Sequence, residues 1–179
     1  MGEFGGSPFA AGLDHLRDTL HAGLWASAVV PLGGTPMFWW WGLIDEENMY
    51  GEFAGVSAFL KGEDRRRPDQ VMQRPSVTGE GTHAGELSAH ALQNRQGGYG
   101  WLYEEGIFDR TDPLGPPAVS NVTVTLSGLA DGALAVEFWD TARGVPVEKS
   151  KMQVKDGGVI LHVPPFTRDI AFKYKRPVP

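Results

Sequence analysis

The chain reads as an α+β protein, with a helical unit built around one short buried strand and an antiparallel β-sandwich after it. Three observations carry this. Apolar residues before about residue 65 recur at helical spacing, interrupted by a single continuous apolar run. Near residue 68 the period changes to two. After it come six short alternating segments, separated by turn signals, within about 90 residues.

Leu13, Leu16, Leu20 and Leu24 are spaced three, four and four apart, which gives one apolar stripe on a helix. Asp14 can cap it. "VVPLGGTP" then ends it with Pro and Gly. "PMFWWW" is a continuous apolar run between turn signals, as expected of a strand buried on both faces. Met49, Phe53, Val56 and Leu60, spaced four, three and four apart, predict a second helix. Loop, helix, buried strand, helix is the order of a parallel α/β fold.

The stretch "RRRPDQVMQRPSVTGEGTHAG" is polar, Pro/Gly-rich and aperiodic. It divides the chain into residues 1–67, a linker over 68–85 and a sandwich over 86–179. The strand candidates are "ELSAHALQ", "YGWLYEE", "NVTVTLSG", "ALAVEFWD", "GVILHVP" and "DIAFKYK". Val122, Val124 and Leu126 alternate with polar residues, as do Val159, Leu161 and Val163, and Ile170, Phe172 and Tyr174. "LADG", "DTARG", "KDGG" and "VPPF" supply the turns.

Composition removes several functions. A net charge of −6 and a pI near 5.3 argue against nucleic acid as a partner, because phosphate binding needs a basic face. The one compact basic run, Arg65 to Arg67, reads as a solvated segment. The absence of cysteine excludes disulfides, thiolate catalysis and Cys-ligated zinc. No apolar run reaches the ~18 residues of a membrane span, so no membrane partner is expected. "MGEFGGSPFA" has neither a basic nor an apolar leader region, so the chain shows no signal peptide. The five histidines include His15 and His21, which are six apart and cannot pair on one helix face as metal ligands. Neither metal nor cofactor is expected.

Three tryptophans in a row, Trp39 to Trp41, are the most unusual feature. In a strand Trp39 and Trp41 would face one way and Trp40 the other. Core packing is one reading. The other is a platform for a sugar ring, whose axial C–H bonds suit an aromatic face. Trp139, at a strand end in "EFWDT", offers the same two readings, glycan stacking or turn packing.

"GEFG", "HAGLWAS" and "GTPMFWWWGLIDEENMYGEFAGVSAFLKGED" together resemble the last two βα units of a (β/α)₈ glycoside hydrolase, of the cellulase-like type with an appended C-terminal sandwich. The tail pattern "EFWDT", Gly, "PPF" and "RDIA" is similar to that sandwich, a form also described as putative collagen-binding. The resemblance implies that residues 1–67 are a barrel remnant. It makes Glu3 the nucleophile position, and Trp41 and Trp39 the lining of a sugar subsite. His21 becomes an active-site neighbour, with a helix-face histidine as its other reading. The family's acid/base Glu follows an Asn, and no Asn-Glu pair occurs here. Retaining hydrolysis needs two carboxylates about 5–5.5 Å apart. The expectation is therefore the C-terminal region of a secreted or periplasmic hydrolase acting on β-linked polysaccharide, inactive alone. The alternative is a non-catalytic module that binds carbohydrate or protein. A polysaccharide or glycan is the expected partner, and an exposed barrel remnant would favour self-association.

Overall fold

A computed structural model describes residues 3–5, 8–32, 34–79, 86–105 and 118–177, with only the backbone of 8–11. The order begins β1 (Glu3–Phe4), α1 (Pro8–Val29), β2 (Met37–Phe38), α2 (Trp41–Glu46) and α3 (Tyr50–Leu60). Nine strands follow: β3 (Val71–Gln73), β4 (Ser76–Thr78), β5 (Leu87–Asn94), β6 (Gly97–Glu104), β7 (Val122–Leu126), β8 (Gly132–Asp140), β9 (Val145–Val154), β10 (Val159–Val163) and β11 (Asp169–Lys175).

The strands after α3 form two antiparallel sheets. One has six strands in the order β3-β5-β6-β11-β8-β9, the other three in the order β10-β7-β4. Apolar side chains between them make the sandwich core, including Leu102, Val124, Phe138, Leu161 and Phe172. A second core lies on the opposite face of the six-stranded sheet, where Leu16, Leu20, Trp25, Val56 and Phe59 from the helices meet Leu92, Tyr99, Trp101 and Ala171. The layers therefore run helices, large sheet, small sheet.

This corrects the barrel-remnant reading. Parallel pairing is confined to β1 and β2, two residues each, among the described residues. Helix α1 joins these two short strands, but the helices bury most of their apolar surface against an antiparallel sheet. An apolar helix stripe is satisfied by any apolar face of matching shape, and the outward face of β6 and β11 provides one. The tryptophan run is also not a strand. Pairing ends at Phe38, Trp39 and Trp40 turn, and Trp41 opens α2.

Smaller departures have local causes. Gly12, at φ +75°, breaks α1, so Asp14 falls in the first turn of the segment that follows rather than at its cap. Leu13 and Phe53 are exposed, and Phe59 takes the buried place the stripe assigned to Phe53. The segment expected as a linker carries β3 and β4, which extend one sheet each; residues 80–85 lie outside the described residues. Arg65 is not a solvated charge. Its guanidinium donates to the carbonyls of Ser27, Val30 and Leu32 at 2.6, 2.9 and 3.5 Å, closing the C-terminal end of α1 where carbonyls lack helical partners. The unforeseen β9 is an edge strand, exposed along most of its length and charged at Glu148, Lys149 and Lys151.

Helix α3 approaches the β8–β9 turn with backbone against backbone. A methyl group at Gly55 would lie 2.6 Å from the Thr141 carbonyl oxygen and close to Gly144. Alanine normally favours a helix over glycine by about 1 kcal/mol. Here the clash reverses the sign, and Gly55→Ala is expected to lower stability by about 1–3 kcal/mol in urea unfolding. A Gly55→Ala variant more stable than the parent would contradict this packing.

Candidate functional site

The best-defined polar arrangement lies where the helices meet the large sheet. Helix α1 buries Leu16, Leu20 and Leu24 on one side and, further round, Asp18 and His21, which are three residues apart and so neighbours on the helix surface. The last residue of the β10–β11 loop and the first of β11, Arg168 and Asp169, answer them. Arg168 donates to Asp18, and His21 Nε2 lies 2.9 Å from Asp169 Oδ2. From α3, Glu52 reaches the other ring nitrogen, Nδ1, also at 2.9 Å.

Asp169 is 7% exposed and is saturated from three elements. Its Oδ2 also accepts Trp101 Nε1 at 2.7 Å, and its Oδ1 accepts Thr141 Oγ1 at 2.8 Å. Burial this deep requires such partners, because an uncompensated buried carboxylate is costly. Arg168 holds a left-handed backbone at φ +74°, a conformation that costs a non-glycine residue free energy and that the surrounding pairs maintain.

Both nitrogens of His21 face carboxylates, so the ring is suited only as imidazolium, which donates from both. Burial of the ring opposes the charge. The hydrogen bonds and charges of Asp169 and then Glu52 outweigh it and hold the pKa up at about 9. The group is a proton-bearing bridge between two anions rather than a base ready to accept a proton.

Beside the bridge is a cavity of about 480 Å³. Its walls come from α1, the start of α3, the β8–β9 turn and the β10–β11 loop, with Arg17, Arg143, Asp140 and Phe166 among the lining residues. Arg17 is tied to the Glu47 carbonyl at 2.8 Å.

The residues singled out from sequence are not assembled into one place. Glu3 is exposed on β1, opposite Met37 in the pairing register. Trp39 and Trp41 are 58% and 68% exposed, whereas Trp40 packs against the helix–sheet core. Trp139 is half-buried, its ring edge-on to Phe59 at 5.6 Å and under Lys173 Nζ at 5.0 Å. Only His21 joins the polar cluster. Sequence reasoning missed Asp18, Glu52, Thr141, Arg168 and Asp169. Two signals were present: a charged residue three positions before His21, and so beside it on the helix surface, and the "RDIA" tetrapeptide, whose first two residues supply the other half of the contact. Among the described residues no group of three or more His, Cys, Asp or Glu could hold a metal ion. No protein-family model matches this chain, and no curated protein matches it.

The His21 bridge sets a pH dependence. A pKa raised from 6.5 to about 9 means that folding takes up a proton across that interval. The stabilisation is complete below about pH 6.5 and is lost as pH rises through about 9, a total on the order of 3 kcal/mol. Thermal melts from pH 6 to 10 should fall in this window, and His21→Gln should flatten the fall. His21→Ala, which leaves buried Asp169 and half-buried Glu52 without their shared partner, should cost about 3–5 kcal/mol at pH 6.

Proposed function

We propose that this chain is a non-catalytic accessory module of a protein that acts on β-linked polysaccharide, and that it presents Trp39 and Trp41 to the glycan. The supporting observation is the exposure of those two rings, 58% and 68%, beside a helix–sheet core already filled with aromatic side chains. Trp25, Phe59, Tyr99 and Trp101 occupy that core. Trp39 and Trp41 therefore bury little surface inside the fold, although an indole gains more than most side chains from burial. A flat ring at the surface with an available N–H suits the apolar face and hydroxyl rim of a sugar.

The resemblance to hydrolase tails supports the substrate class. Hydrolysis by this chain alone is not part of the reading. His21 is committed to two carboxylates, and Glu3 stands exposed on a two-residue strand.

Retention on insoluble cellulose, mannan and xylan tests the reading. The parent should be retained on at least one. Trp41→Ala and Trp39→Ala should each weaken retention about threefold to tenfold, from the loss of one aromatic contact of about 0.5–1.5 kcal/mol. Trp139→Ala should instead lower stability while leaving retention per folded molecule unchanged. Retention unaffected by either exposed tryptophan would overturn the platform.

A further inference from the structure

We propose that the cavity at the helix–sheet junction is a second saccharide site, which receives the end of a neutral β-linked sugar chain. The inference rests on the carbohydrate reading above and adds a separate place of binding.

Size admits such a ligand. The cavity, about 480 Å³, falls within the roughly 300–1,000 Å³ typical of small-molecule sites. Charge then selects the class. Four cationic groups line it, three arginines and the His21 imidazolium, and four carboxylates answer them, Asp18, Glu52, Asp140 and Asp169. Most of this charge is spent internally, through the Arg168–Asp18 pair and the His21 bridge. A ligand with net charge of either sign would meet an opposing charge for every favourable one. A polyhydroxylated ligand would not, because each hydroxyl both donates and accepts. Glu52, part-exposed and bonded to His21 through Oε2 alone, and Arg143, exposed at the β8–β9 turn, present acceptor and donor to such hydroxyls.

The wall chemistry agrees. Pro164, Pro165 and Phe166 from the β10–β11 loop and Val147 from β9 add apolar surface to the lining beside the ionic groups. Sugars carry C–H groups on one face and hydroxyls at the edge, so they suit a cavity whose lining mixes apolar and polar side chains. The strained Arg168 backbone and the threefold-saturated Asp169 fix the polar part of the lining before any ligand arrives.

Amide NMR titration of the whole chain with cellotriose, β-1,4-mannotriose, xylotriose and β-1,4-trimannuronate tests this. At least one neutral trisaccharide should shift the amides of Thr141, Arg143, Arg168 and Ile170. Arg143→Ala should weaken that binding about fivefold. Val147→Trp, which places a large ring at the mouth from an exposed edge-strand position, should abolish it. Trp41→Ala should leave these shifts in place. Shifts confined to residues 37–43 would overturn the cavity site while sparing the tryptophan platform. Cavity shifts that persist in Trp41→Ala, with polysaccharide retention unaltered by that change, would support the cavity site and overturn the platform. Tighter binding of the trimannuronate, cavity shifts indifferent to both cavity variants, or no shifts with any of the four sugars would each overturn the proposal.

Discussion

The structure depends on a proton held between two carboxylates. His21 sits on a helix, Glu52 on the next, and Asp169 at the head of the strand that lies in the middle of the large sheet. Apolar contact alone would let the helical layer slide over the sheet, since dispersion and hydrophobic burial have little directional preference. The bridge removes that freedom. It offers one arrangement in which every buried charge has a partner, and each displaced arrangement strands at least one. Arg168 and Asp18 repeat the constraint beside it, so two consecutive residues engage two residues of one helix. The site and the registration of the layers are thus the same set of atoms.

Strand β11 carries the other half of the logic. Ile170, Phe172 and Tyr174 point into the sandwich core, and Ala171 meets the helices. Lys173 follows on that second face. Its ammonium is buried over the rings of Phe59 and Trp139, at 4.9 and 5.0 Å, with Glu63 at 3.1 Å. Asp169 and Lys173 are therefore buried alongside the apolar residues of β11 and specify contacts rather than face water, while Lys175 at the strand's end is exposed.

The same strand shows how far the sequence could be read. The alternation of Ile170, Phe172 and Tyr174 was legible as a sandwich strand, as were β5, β6, β7, β8 and β10, because one face of each is apolar. Asp169 and Lys173 fall on the alternate positions, where a period of two cannot tell water from a second layer whose partners are themselves charged. Both helices were legible from their leucine and aromatic spacing. Their docking partner was not, because a helix stripe records that it is buried and not against what. That ambiguity, together with a strand reading of "PMFWWW", produced the parallel unit that the structure replaces with helices on an antiparallel sheet. Strand β9 was hidden for the opposite reason. An edge strand guarded by Glu148, Lys149 and Lys151 alternates only at its end, where Met152 and Val154 reach the sandwich core. Of the candidate site, His21 was legible as a residue, while its partners on α3 and β11 required the tertiary fold.

Because the large sheet is covered on both faces, the sandwich is not a detachable piece. A gene fragment begun at residue 86 would keep most of the antiparallel strands but lose β3, β4 and all the helices. Tyr99, Trp101 and Ala171 would then face water together, beside Lys173 stripped of Glu63 and the Phe59 ring. Such a fragment would carry a sticky aromatic face and a loosened small sheet, and it would aggregate or seek a surrogate cover. Anyone transplanting this module into another protein must move the helical segment with it.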